Sequence, residues 1–241
     1  MGLITNILYG LYAAVLFICV ALLALLIMIV LPGLRRRRRV AQAASRIFLR
    51  LAGMPLTVAG LERLPEGPCV VVANHASYID GLVFTAALPP RFEFVIKREM
   101  ATVPLAGFLL SRIGSQFMAR DNAGQTTRDA RRIMRSAESG QSMVFFPEGT
   151  FSEDPGLLKF HLGAFATAQR AGCPVVPAII QGSRVALSPR GGLPHPTRLR
   201  IEILDPVIPT PQAGSEAVPA LCRQARNAIL GRLQEPDREA A

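Results

Sequence analysis

The stretch Cys69-Val70-Val71-Val72-Ala73-Asn74-His75-Ala76-Ser77-Tyr78-Ile79-Asp80 decides the fold. Its first five residues are apolar without alternation, the pattern of a strand buried on both faces, and such strands belong to parallel sheets covered by helices. The run then delivers Asn74 and His75 into a turn, with a carboxylate five residues after the imidazole. Residues five apart sit roughly 140° apart around a regular helix. His75 and Asp80 therefore meet only if His75 lies on the turn and Asp80 opens the helix that follows. A carboxylate so placed fixes the tautomer of an imidazole and stabilises its cation. A loop histidine followed by a helix-capping aspartate is the other reading. Taken alone, the stretch leaves both open.

Outward from it, strands are expected at residues 57–58, 92–96, 115–118, 143–146, 175–180 and 198–204. Helices are expected at about 80–88, 103–112, 125–138, 160–171 and 214–233. Strands alternating with helices through short connections imply an α/β fold with a largely parallel sheet flanked by helices. In the 125–138 helix, Arg128, Arg131, Arg132 and Arg135 read as a solvated face opposite Ala130, Ile133, Met134 and Ala137.

The beginning of the chain is different. Residues 7–31 carry no charge and would be about 37 Å long as a helix, against a hydrocarbon core of about 30 Å. A signal peptide has its positive charge before the apolar run; here Pro32-Gly33 and five arginines follow it. The reading is an uncleaved hydrophobic anchor over residues 1–34. If it spans, Arg35 to Arg39 keep the main domain on the cytoplasmic face of the cell membrane. Such arginines also favour anionic lipid headgroups. Val40, Ala44, Ile47 and Leu51 share one helical stripe and Arg46 and Arg50 another, so residues 35–53 read as an amphipathic helix in the membrane interface. Residues 54–235 form the α/β domain, and residues 236–241 are expected to fray.

The chain of 241 residues has a net charge of +10 from 27 basic and 17 acidic residues. Seven of those arginines lie between residues 35 and 50 with no acid among them. The basic character is thus local, which argues against a nucleic-acid partner. Cys19, Cys69, Cys173 and Cys222 are far apart and have no metal-ligand spacing, so neither zinc nor a disulfide framework is expected. No P-loop, GxGxxG or GxSxG sequence occurs. His195, between two prolines, reads as a loop residue.

A second stretch carries chemistry. After the strand at 143–146 comes Pro147-Glu148-Gly149-Thr150-Phe151, a turn that presents a carboxylate, a hydroxyl and backbone N–H groups. In open α/β sheets ligands bind beyond the carboxyl ends of the strands, where both this turn and His75 would lie. Together, Asn74-His75-x4-Asp80 and Phe146-Pro147-Glu148-Gly149-Thr150 resemble the glycerolipid acyltransferases, in particular the 1-acyl-glycerol-3-phosphate acyltransferases. Gly114-x2-Phe117-x2-Arg120, Val175-Val176-Pro177-Ala178-Ile179 and Lys97 resemble further motifs of that family, over about residues 54–205.

The resemblance implies acyl transfer from acyl-CoA or acyl carrier protein to the hydroxyl of a lysolipid, with no metal or bound cofactor. It implies that His75 is the general base and Asp80 its orienting partner. Glu148, Gly149, Thr150, Phe151 and His161 would then stand on the acceptor side and Asn74 would bind substrate, with backbone N–H groups near Gly149 as candidate oxyanion donors. Arg120 would pair with the acceptor's phosphate, Lys97 would be a further basic substrate-binding residue, and Pro177 would shape the donor side. Two positions depart from the pattern. Phe151 stands where an arginine commonly follows the threonine, and His161 where a lysine commonly precedes x-Gly-Ala. Lys159 and Arg184 are the cations that could compensate. A lysolipid without a phosphomonoester head is therefore an alternative acceptor, and a lipid-binding protein without turnover is the competing class.

Overall fold

The computed structural model describes residues 3–119, 123–210 and 214–239. In chain order, two helices come first, α1 (Leu3–Val30) and α2 (Leu34–Leu51), and then strand β1 (Leu56–Ala59). Next are β2 (Val70–Ala73), α3 (Asp80–Ala87), β3 (Phe92–Lys97), α4 (Ala106–Arg112) and β4 (Gln116–Met118). The remainder is α5 (Ala123–Glu138), β5 (Ser142–Phe145), α6 (Gly163–Ala171), β6 (Val175–Gln181), α7 (Ser183–Ala186), β7 (Leu199–Ile203) and α8 (Ala217–Leu230).

The seven strands form one sheet in the order β1-β7-β6-β2-β5-β3-β4. All neighbours are parallel except β6 and β7, so β1 and β7 run against the other five. β2 sits in the middle and is fully buried. Its pleat sends Val71 and Ala73 into one core with Phe48, Phe84 and Ile201, and Val70 and Val72 into another with Ile133, Phe165 and Ile229. That two-sided burial is why the run shows no alternation. Pro177, on the interior strand β6, lacks a donor. It falls between the Ala178↔Ile203 pair and the Val175↔Val207 bridge, where its carbonyl accepts the Leu204 N–H at 2.9 Å and the reciprocal bond is missing.

α2 is amphipathic, but much of its polar face is turned to protein. Arg38 is 7% exposed; it donates to Glu93 Oε1 at 2.9 Å and to the carbonyls of Ile113 and Arg91. Gln42 donates to the Leu88 carbonyl and Arg46 to that of Ala86. These bonds staple α2 onto α3 and the start of β3, so part of the basic cluster is structural. Ile47 and Leu51 are exposed, while Ala44 of the same stripe faces a cavity.

Among the described residues, α1 is the one helix long and apolar enough to cross a membrane. It lies along the domain. Tyr9 Oη donates to the Ala52 carbonyl at 2.6 Å near one end, and Arg112 Nη2 donates to the Met28 and Ile29 carbonyls near the other. Gly10 meets the loop between α7 and β7 so closely that a Cβ there would stand 2.3 Å from Leu193 Cβ. Leu3, Ile4, Leu8, Leu23, Leu26 and Val30 remain exposed on its far side.

The tail corrects the expectation of fraying over residues 236–239, while residues 240 and 241 lie outside the described residues. Residues 236–239 are held: Leu157 N–H donates to the Pro236 carbonyl, Arg238 N–H donates to the Leu157 carbonyl, and Asp237 pairs with Arg226. The mixed charges that read as solvated each meet a partner from a distant element.

Candidate active site

β2 and β5 are parallel neighbours in the register Val70↔Met143 to Val72↔Phe145. Their carboxyl ends therefore release the 74–80 turn and the 146–151 turn side by side. Asn74 anchors the first. Its amide donates to the Ile180 carbonyl at 3.0 Å and its Oδ1 accepts the Ile180 N–H at 2.8 Å, mimicking one more residue pair of the β2–β6 ladder. Asn74 is thus a buried clamp on the sheet, not a substrate contact.

Asp80 opens α3 and is 0% exposed. Its Oδ2 lies 2.7 Å from His75 Nδ1 and also accepts the N–H groups of Ala76 at 2.7 Å and Ser77 at 2.9 Å. The five-residue gap closes as expected, with one carboxylate oxygen capping the turn and holding the ring. The choice between a capped turn and a paired imidazole resolves into both at once. Asp80 Oδ1 is buried without a protein partner. With Nδ1 committed, Nε2 is the ring nitrogen left for a ligand.

Aromatic rings fix the imidazole. Phe146 stacks on it with centroids 4.4 Å apart, and Phe151 meets it edge-on at 4.5 Å and 75°. Tyr78 in turn packs edge-on against Phe151 at 4.7 Å. The Phe146 and Tyr78 contacts were not apparent from the sequence, because both residues read as ordinary apolar or turn positions.

Glu148 requires a correction. It is 4% exposed; Oε1 accepts the His75 N–H at 2.6 Å and Oε2 accepts the Leu158 N–H at 2.8 Å. The carboxylate therefore ties two loops together and does not face a substrate. Burial pushes its pKa up to about 7, against the opposing pull of the two N–H donors. An acid raised in this way contributes stability in full below about pH 4.5, and that contribution is lost as pH rises to about 7. Wild-type protein is therefore expected to lose stability relative to Glu148→Gln between pH 5 and 8, by up to about 3 kcal/mol. Thermal melts of both proteins across that range check it, and parallel curves would contradict the burial of the carboxylate.

The Gly149 N–H donates to the Phe146 carbonyl at 3.0 Å, so it is already committed and is not an oxyanion donor in this arrangement. Gly149 takes φ +73°, the left-handed conformation that lets the turn close.

His75, Gly149, Thr150, Phe151 and Lys97 all line one cavity of about 640 Å³. Its apolar wall comes from α1 and α2, through Phe17, Ala21, Ala24, Met28 and Phe48. The helices read as an anchor are thus also a wall of the site. Lys97 is about half exposed, with Nζ 3.9 Å from Glu99 Oε2. His161 is exposed and Pro177 is buried in the sheet; neither lines the cavity. Arg120 lies outside the described residues. Arg184 donates to the Ser152 carbonyl and pairs with Glu235 at 3.1 Å, and Lys159 is exposed. Among the described residues no group of three or more His, Cys, Asp or Glu could hold a metal ion.

A family model described as Acyltransferase matches residues 55–181, which contain both turns and the strands that carry them. The chain belongs to the Acyltransferase family. It is 32% identical over 203 residues to a chloroplastic 1-acyl-sn-glycerol-3-phosphate acyltransferase of Brassica napus, covering 81% of this chain and 56% of the relative. It is 31% identical over 194 residues to the lyso-ornithine lipid O-acyltransferase of Pseudomonas aeruginosa, covering 74% of this chain and 72% of that one. The chain spans about half to two thirds of the length of the first glycerol-phosphate relatives. In structure it resembles the 1-acyl-sn-glycerophosphate acyltransferase PlsC of Thermotoga maritima, with a TM-score of 0.77, 23% identity and 95% of each chain covered. That likeness is one of fold.

Proposed function

We propose that this acyltransferase-family protein moves a fatty acyl group from a thioester, acyl-CoA or acyl carrier protein, to the free hydroxyl of a lysolipid, with His75 as general base. The observation that carries this reading is the 2.7 Å His75–Asp80 bond on the wall of a largely apolar cavity. His75 Nε2 takes the proton of the acceptor hydroxyl as its oxygen attacks the thioester carbonyl carbon. The tetrahedral intermediate then expels the thiolate, which takes the proton back from the imidazolium. Buried Asp80 stabilises that cation while it lasts. General-base help is worth about 10²–10⁴-fold, so alignment of the two substrates supplies much of the rest. A volume of about 640 Å³ is in the range of sites that bury most of a small ligand.

Membrane association comes through the exposed apolar side of α1. Because α1 is bonded to the domain near both ends, its position favours lying in one leaflet over crossing. Arg35, Arg36 and Arg39 are exposed at the start of α2, where anionic headgroups of the cytoplasmic leaflet would meet them.

The acceptor proposed first is 1-acyl-glycerol-3-phosphate, giving phosphatidic acid, in line with the names of most relatives. Phe151 favours a second reading. An aromatic ring occupies the position of a phosphate-binding arginine, and Arg184 is already paired with Glu235. A lysolipid without a phosphomonoester head fits such a surface. The test is a panel of purified lysolipids, with and without that group, each offered with acyl-CoA and with acyl carrier protein thioester. Turnover of 1-acyl-glycerol-3-phosphate supports the first acceptor, and turnover confined to the others supports the second. Lysolipid binding without transfer to any acceptor overturns the enzymatic reading.

A further inference from the structure

The loop from Phe151 to Leu158 has no regular structure of its own, yet its ends matter to His75. Phe151 lies edge-on to the imidazole at one end. At the other, Leu158 shares Glu148 with the His75 N–H. Arg184, which donates to the Ser152 carbonyl, and Arg190, which pairs with Glu153, hold its first half, and residues 235–239 supply most of the rest. Glu235 Oε2 accepts the Gly156 N–H at 2.7 Å and Arg184 Nη2 at 3.1 Å. Leu157 and Asp237 form a parallel bridge, with N–H to carbonyl bonds of 2.9 and 3.0 Å to Pro236 and Arg238. Arg238 Nη1 reaches Ser152 Oγ at 2.9 Å.

The attachment is itself anchored to the body of the protein. The Asp237 carboxylate takes both terminal nitrogens of Arg226, at 2.8 and 2.6 Å, and Arg226 Nη2 also donates to the Leu157 carbonyl at 3.1 Å. Arg226 is 6% exposed on α8, and the pair keeps the Asp237 carboxyl down at about 2. Gly156 records how closely the two segments lie. A Cβ there would fall 2.3 Å from Arg238 Cδ, and its φ of +141° disfavours any other residue.

We propose that residues 235–239 form a strap that positions the 151–158 loop, and through Phe151 and Glu148 the acceptor side of His75. The strap residues are positioning residues, since none lines the cavity. A loop displaced by about 1 Å at a reacting centre can cost on the order of a hundredfold in rate. The strap acts where the acceptor head lies, whereas the apolar walls that α1 and α2 supply are out of its reach. The inference rests on the reading of His75 as the reacting base.

The test compares wild type with the Glu235→Ala/Asp237→Ala double variant, and with Glu235→Gln, which keeps an oxygen for the Gly156 N–H. Hydrogen exchange is followed at the His75, Gly156, Leu157 and Leu158 amides, and KM is measured for each substrate, using the lysolipid accepted best. The double variant is expected to lose protection at all four amides and to raise the lysolipid KM roughly tenfold. Its thioester KM should stay near the wild-type value, and Glu235→Gln should stay near wild type in both respects. Should the double variant fail to fold, Glu235→Ala alone keeps the Asp237–Arg226 pair and reports on the same amides. Unchanged protection at His75 and Leu158 overturns the strap, as does a parallel rise of both KM values. Absence of acyl transfer by wild type would instead sink the enzymatic reading, and the exchange measurement would still decide the strap.

Discussion

His75→Ala is expected to lower kcat by about 10³–10⁴-fold, near the upper end of what a positioned general base supplies. Three features place it there. The ring is held by Asp80 at Nδ1 and by Phe146 and Phe151 through its faces and edge, so no orientation has to be found during the reaction. The residues that line the cavity include no other imidazole and no carboxylate that could replace the base. A lysolipid hydroxyl is also a poor nucleophile until its proton leaves. The loss should fall on kcat, with little change in KM, because the imidazole helps the transition state more than the bound ground state. The fold should survive, since the His75 N–H bond to Glu148 is a backbone bond that alanine keeps. Steady-state kinetics with both substrates varied, together with membrane partitioning of the variant, make the measurement. Retention of more than a tenth of wild-type kcat would remove His75 from the role of base.

How far the residues announce this site depends on the range of the interactions. The β2 strand and the His75–Asp80 pair were legible because both are local. An unbroken apolar run has one economical explanation, and a five-residue gap across a turn has few geometries. The family resemblance rests on the same local stretches. Glu148 was legible as a site residue but not in its role. That its oxygens would be taken by His75, 73 residues away, and by Leu158 follows from two parallel strands lying side by side, which no spacing encodes. α1 and α2 show a related limit. An apolar stripe looks alike whether it faces lipid or protein, and part of the surface that reads as membrane-facing lines the cavity instead. Arg38 reads as one of five surface charges, and only the tertiary structure reveals Glu93 opposite it. The strap was the least legible feature, because Pro236 and alternating charges are the ordinary marks of a solvated tail. Their partners, Arg184, Arg226 and Leu157, lie on other elements.

Asp80 offers the sharper test, because its two contributions can be separated. One is orientation: Oδ2 holds Nδ1 of His75 and two backbone N–H groups. The other is charge, which would stabilise the imidazolium that the proposed reaction forms. Asp80→Asn can keep an oxygen at the Oδ2 position and with it all three bonds, while removing the charge. Its amide nitrogen would then occupy the place of Oδ1, which is buried and has no protein partner. Asp80→Ala removes both contributions and leaves the Ala76 and Ser77 N–H groups without an acceptor. That unpairing should cost about 1–3 kcal/mol of stability for each buried donor. If charge dominates, both variants should lose about 10³–10⁴-fold in kcat, as expected for a carboxylate behind a histidine base. If orientation dominates, Asp80→Asn should lie at least tenfold above Asp80→Ala. The full burial of the carboxylate favours the first outcome, since a charge that little water can screen acts strongly on a cation 2.7 Å away. The measurement is kcat for the two variants beside their melting temperatures. Near-wild-type turnover in Asp80→Asn would show that the carboxylate serves the turn and not the imidazole.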